Sequence, residues 1–121
     1  TQAVILELGA NDALRGVNPS ETEANLRAMI ERLKSRNILV LLAGMLAPPN
    51  MGDSYGAAFN AIYPNLSKEF GLPLIPFFLE GVAGNPALQL DDRMHPNPDG
   101  VQKMVENALP VVKETLNSLS Q

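Results

Sequence analysis

The chain has 121 residues, a single domain at most by the rule of about 150 residues per domain. Nine basic residues against thirteen acidic ones leave a net charge of −4 with no run of Lys or Arg, which excludes the basic face a nucleic-acid partner needs. Apolar residues make up 45% and charged residues 18%, the balance of a folded core rather than a disordered tail.

The absence of cysteine removes disulfides, thiol catalysis and Cys-type zinc sites, and a lone histidine removes His-rich metal sites. No metal or other cofactor is expected. No apolar run approaches the roughly 18 residues needed to cross a bilayer, so no membrane span is expected.

The first apolar run, Ala3 to Leu8, is rich in branched residues and reads as a buried parallel strand. Gly9-Ala10-Asn11-Asp12 then reads as a turn at the strand's C-terminal end. A helix opens at Asn18-Pro19-Ser20-Glu21, capped either by Asn18 with Pro19 at the first position or by Ser20 with Glu23 as reciprocal partner. Leu26, Met29, Ile30 and Leu33 form its apolar stripe, and Asn37 ends it. Ile38 to Leu42 is a second buried strand. The loop from Gly44 to Gly52, with Pro48 and Pro49, is irregular.

A second long helix spans about Ser54 to Phe70, with Tyr55, Phe59, Ile62, Leu66 and Phe70 on one side and Pro64 expected to kink or split it. Leu72 to Phe78 reads as a third strand, weakened by its prolines. A long loop covers Glu80 to Met94. The last helix starts at Asn97-Pro98, carries Val101, Met104, Val105, Ala108 and Val112 on one face, and is expected to bend at Pro110. Strands alternating with helices imply right-handed crossovers and a parallel sheet. In such sheets the site lies beyond the carboxyl ends of the strands, which marks Gly9–Val17, Met45–Gly52 and Phe78–His95.

Within those segments His95 is the one side chain suited to moving a proton near neutral pH. Asp92 precedes it by three residues. In a turn, that spacing lets a carboxylate accept from the imidazole Nδ1–H, fixing the tautomer and stabilising the imidazolium formed in catalysis. The competing reading is a surface histidine beside a helix cap. Asn11, at the end of a strand, can aim its side-chain N–H at a developing oxyanion; the competing reading there is a turn with Asn or Asp capping.

Together, Gly9-Ala10-Asn11-Asp12 after a strand and Asp92-Arg93-Met94-His95 before the last helix resemble two sequence blocks of the SGNH, or GDSL-type, hydrolases. The likeness is strongest to the bacterial branch of thioesterases, arylesterases and lysophospholipases. It runs through Leu6 to Gly16, Ala61 to Pro64, Pro76 to Phe78 and Asp91 to Asn97, in order along the chain.

The resemblance implies a flavodoxin-like, three-layer α/β/α fold with a parallel sheet. It implies a serine ester hydrolase in which His95 is the general base, Asp92 its orienting partner and Asn11 a side-chain oxyanion donor. Met45, Leu46 and Ala47 would supply apolar wall and Ala13 to Val17 would border the acyl pocket. The implied substrate is a small-molecule or lipid-like ester with a hydrophobic acyl or aryl part, and the implied compartment the bacterial periplasm or outside the cell.

The family carries its nucleophilic serine in a Gly-Asp-Ser motif upstream of G-x-N-D, yet only eight residues precede Gly9. The chain is therefore expected to be the C-terminal two-thirds of one domain, lacking the first two strands. That leaves Ala3–Leu8 at an exposed sheet edge, open to the N-terminal segment or to another copy of the chain. Gly52-Asp53-Ser54 imitates the motif but follows the wrong strand, so Asp53 or Ser54 is expected to be an N-cap. The alternative to an enzyme is a non-catalytic fragment or binding module that pairs through that edge.

Overall fold

The computed structural model describes residues 1–119. The chain folds as two compact units, one from Thr1 to Pro76 and one beginning at Phe77.

The first unit is built on three parallel strands, β1 (Ala3–Leu6), β2 (Leu39–Ala43) and β3 (Leu74–Ile75), in the order β1-β2-β3. Ala3 pairs with Leu39 and Leu6 with Leu42, while Leu42 and Ala43 pair with Leu74 and Ile75. Successive residues Val40, Leu41, Leu42 and Ala43 are all buried, so the central strand is covered on both faces, as its unbroken apolar run predicts. Two expectations about strand length fail. The first strand stops at Leu6, because Gly9 and the short helix α1 (Ala10–Leu14) take the chain out of the sheet. The third shrinks from seven residues to two, since Pro73 and Pro76 flank it without an N–H to give the ladder.

Helices α2 (Pro19–Ser35) and α3 (Asp53–Phe70) lie against β2 and against each other. The choice of cap for α2 is settled in favour of Asn18, whose side chain accepts from the Ser20 N–H at 3.0 Å, with Pro19 in the first turn. Leu26 and Ile30 are buried and Met29 is exposed, so the stripe is narrower than its spacing suggested. Asn37 adopts φ 58°, the left-handed conformation that turns the chain from α2 into β2. The cap of α3 corrects the sequence expectation. Gly52 occupies the position, with no side-chain cap bond, and Asp53 and Ser54 are already helical. Pro64 is accommodated without splitting α3. From α3, Phe59, Ile62, Tyr63 and Leu66 enter the core.

The second unit carries a 3-10 turn at Pro86–Leu88 and the long helix α4 (Pro98–Ser118), unbroken at Pro110. Asn97 caps α4, accepting from the Gly100 N–H at 2.8 Å. No helix among the described residues is long and apolar enough to cross a membrane.

Candidate active site

The segment after β1 was expected to be a turn and is instead a five-residue helix with Asn11 in its first turn. Gly9 makes the junction possible. Its φ of 121° is a conformation few L-residues adopt, and a Cβ there would collide with the Tyr63 hydroxyl. That hydroxyl donates to the Leu8 carbonyl at 2.8 Å from a side chain only 1% exposed, and burial pushes its pKa well above the ordinary phenol value. The Thr22 hydroxyl, also buried, donates to the Asp12 carboxylate at 2.9 Å, and Tyr55 donates to the Val17 carbonyl at 2.6 Å. The Tyr55 and Phe59 rings stack with centroids 6.1 Å apart, and Phe59 meets Tyr63 edge to face at 5.8 Å. Ala13 is buried, while Asn11 is exposed, its backbone carbonyl accepts from the Arg15 N–H at 3.0 Å, and its side chain makes no hydrogen bond among the described residues. Its amide is thus displayed on a segment whose neighbours on both sides are tied down.

The loop after β2 places the three expected wall residues unequally. Met45 is buried, Leu46 is 45% exposed, and Ala47 lies between them in exposure. The Ala47 N–H donates to the Asn60 side chain at 2.7 Å, which fixes the loop to α3. Ser54, the imitation of the missing motif, is exposed in the first turn of α3.

In the second unit, Asp92 and His95 meet as their spacing predicts. Nδ1 of His95 and Oδ2 of Asp92 are 2.6 Å apart, and the other carboxylate oxygen accepts from the backbone N–H groups of Met94 at 2.9 Å and His95 at 3.0 Å. Arg93, at φ 56°, turns the chain so that both N–H groups face the carboxylate. The His95 ring, then the two backbone donors, hold the Asp92 carboxyl down at about 2, from an ordinary value of 3.8. An ionised Asp92 requires the proton on Nδ1, which leaves Nε2 of a neutral ring as an acceptor. Asp91 is exposed and takes no part. No cluster of three or more metal-ligating side chains occurs among the described residues.

The sequence pattern singles out Asn11, Asp92 and His95 as candidates and Asn97 as the start of the last helix, but gives no sign of the hydrogen bonds made by Tyr63, Tyr55 and Thr22 around the Asn11 segment or by Asn60 to the Ala47 loop. The aromatic spacing of α3 was read as core, which is correct for the rings. What it does not reveal is that two hydroxyls on those rings serve backbone carbonyls near Asn11.

A parallel α/β chain with a carboxylate-paired histidine just before its last helix, and a displayed asparagine just after a strand, defines a narrow class of protein. The chain belongs to the GDSL-like lipase/acylhydrolase family, which it matches over residues 1–103. It is 48% identical over 96 residues to thioesterase 1/protease 1/lysophospholipase L1 of Escherichia coli K12, covering 79% of this chain and 46% of that protein. It is 37% identical over 113 residues to esterase TesA of Pseudomonas aeruginosa, covering 93% of this chain and 56% of that one. Among solved structures, the psychrotrophic esterase EstA from a Pseudoalteromonas species superposes with a TM-score of 0.89 at 30% identity, over 96% of this chain and 63% of that one. The chain thus spans about half the length of the curated relatives it matches.

Proposed function

We propose that this chain is the part of a serine ester hydrolase that supplies the general base, its carboxylate partner and one oxyanion donor. The observation that carries the reading is the 2.6 Å contact between His95 Nδ1 and Asp92 Oδ2, which leaves Nε2 free to accept a proton. The nucleophilic serine is assigned to residues outside these 121, in keeping with a relative of which the matched 96 residues make up only 46%. That serine attacks the ester carbonyl while His95 Nε2 takes its proton. The Asn11 side-chain N–H stabilises the tetrahedral oxyanion. His95 then protonates the leaving oxygen or sulfur and, in the second half, activates water to release the acid. Leu46, exposed beside Ala47 and backed by buried Met45, suits an ester with a hydrophobic acyl or aryl part. The relatives' printed names, thioesterase, lysophospholipase and arylesterase, support this substrate range.

The test is His95→Ala in the full-length polypeptide, assayed on a chromogenic short-chain ester. Turnover should fall by several orders of magnitude. Near-normal activity would refute the assignment. The 121-residue chain alone should hydrolyse that ester negligibly. Robust activity that vanishes in Ser54→Ala would instead make Ser54 the nucleophile.

One observation favours a second reading, a non-catalytic piece that pairs with another chain. Among the described residues β1 is hydrogen-bonded only to β2, and Ile5 and Leu8 are 51% and 50% exposed. Sedimentation of the 121-residue chain as a dimer that Ile5→Lys returns to monomer, together with no esterase activity in the full-length polypeptide, would establish it.

A further inference from the structure

The paired histidine and aspartate sit on a loop, with side chains 68% and 45% exposed. Core packing therefore cannot fix their geometry, and hydrogen bonds must. The loop closes as two arms. Gln89 and Pro96 form an antiparallel bridge, the Leu90 N–H donates to the His95 carbonyl at 2.8 Å, and the Asn97 N–H donates to the Leu88 carbonyl at 3.0 Å. Gly100 lets the second arm close on bare backbone, because a Cβ there would run into the Leu88 carbonyl oxygen.

Among the described side chains, Asn97 is the one whose hydrogen bonds join the two arms. Its Nδ2 donates to the Ala87 carbonyl at 2.9 Å and to that of Gln89 at 3.4 Å, while its Oδ1 accepts from the Gly100 N–H at 2.8 Å. Both donors and the acceptor of the amide are in use. Capping α4 accounts for the oxygen only, and Ser, Thr or Asp would serve it as well. The two N–H bonds need another explanation.

We infer that Asn97 is a positioning residue for the His95–Asp92 pair. Its Nδ2 pins residues 87–89 against the segment that leaves His95. This holds the Leu90 N–H on the His95 carbonyl, and with it the backbone orientation that brings the imidazole onto Asp92. The inference rests on the proposed role of His95 as base, and its effect on turnover depends on that role.

The test uses Asn97→Ser and Asn97→Asp in the full-length polypeptide. Both retain a capping oxygen and lose both donors. Turnover of a chromogenic ester should fall at least about tenfold with KM changed less than about twofold, since small displacements of a proton-transfer group cost rate before they cost binding. The low-field Nδ1–H proton resonance of the single histidine should broaden or disappear, while the thermal midpoint stays near that of the parent. Wild-type turnover with a sharp Nδ1–H resonance in both variants would overturn the inference and leave Asn97 a cap alone. So would a turnover loss that follows the thermal midpoint while the resonance stays sharp. If Asn97→Ser does not fold, Asn97→Asp carries the test, because a carboxylate is favoured at a helix N-terminus. Should His95→Ala prove active, the proposed mechanism fails, and the Nδ1–H resonance still decides whether Asn97 positions the pair.

Discussion

The segment that displays Asn11 and the loop that carries His95 solve the same problem by opposite means. Around Asn11 the work is done from the core. Tyr63 and Thr22, each 1% exposed, reach from helices to a backbone carbonyl and to the Asp12 carboxylate, and Gly9 makes room for the closer of the two. Around His95 nothing comparable is buried. There a left-handed Arg93, a carboxylate accepting three hydrogen bonds and the Asn97 amide hold the geometry at the surface. The difference follows from charge. An asparagine donor is neutral and tolerates a packed base, whereas burial would penalise the ionised Asp92 carboxylate and the charged form of a histidine that takes up a proton, as proposed for His95.

Substitutions should separate the two arrangements. Replacing His95 by Ala should remove about four orders of magnitude from turnover, measured as kcat/KM on an activated ester in the full-length polypeptide. Asn11→Ala should cost roughly 10²–10³ in kcat with KM little changed.

Phe59→Ala empties the ring cluster beneath the Asn11 segment. It should destabilise the protein by about 3–5 kcal/mol, read from the chemical-denaturation midpoint. In the same variant, hydrogen exchange at the amides of residues 13–17 should accelerate, while the His95 Nδ1–H resonance stays unchanged. A resonance lost along with the protection of residues 13–17 would show that the histidine loop depends on the core after all.

Acid should act the other way. The Asp92 carboxyl is held at about 2 against an ordinary 3.8, so its stabilising contribution is fully present above about pH 4 and is lost as pH falls through 2. Carbonyl-carbon NMR titration should show the late Asp92 midpoint, which should move up in Asn97→Ser. The smallest effect is expected at the exposed Arg27–Glu69 pair, whose bonds of 3.0 and 3.1 Å join α2 to α3 at the surface. Glu69→Gln should leave activity and the denaturation midpoint within experimental error.

The parts of the site that could be read beforehand are those fixed over short sequence distances. Asp92 and His95 are three residues apart, and a turn is enough to join them. Asn18 and Asn97 each stand beside a proline that opens a helix, and both are caps, Asn18 being one of the two candidates for α2. Short-range rules misled where two of them competed. Asp53 and Ser54 are good capping residues, yet the chain reaches α3 through Gly52 at φ 92°, which takes the cap position before either of them. Gly9 to Asp12 has turn chemistry, yet backbone bonds such as Ala13 N–H to the Gly9 carbonyl at 3.1 Å close a helical turn instead.

By itself, then, the sequence determined the alternation of strands and helices, the parallel sheet, the histidine and its carboxylate, and the family likeness. Each is written in local pattern or in motif spacing. Only the tertiary structure decided that Tyr63, 55 residues along the chain from Leu8, is the donor behind the Asn11 segment. It also decided that Met45 is buried while Leu46 is presented, and that the Asn97 amide serves two carbonyls as well as its helix. A hydrogen bond between distant residues leaves no period in a sequence, because what selects its donor is the position of an acceptor that only folding brings near.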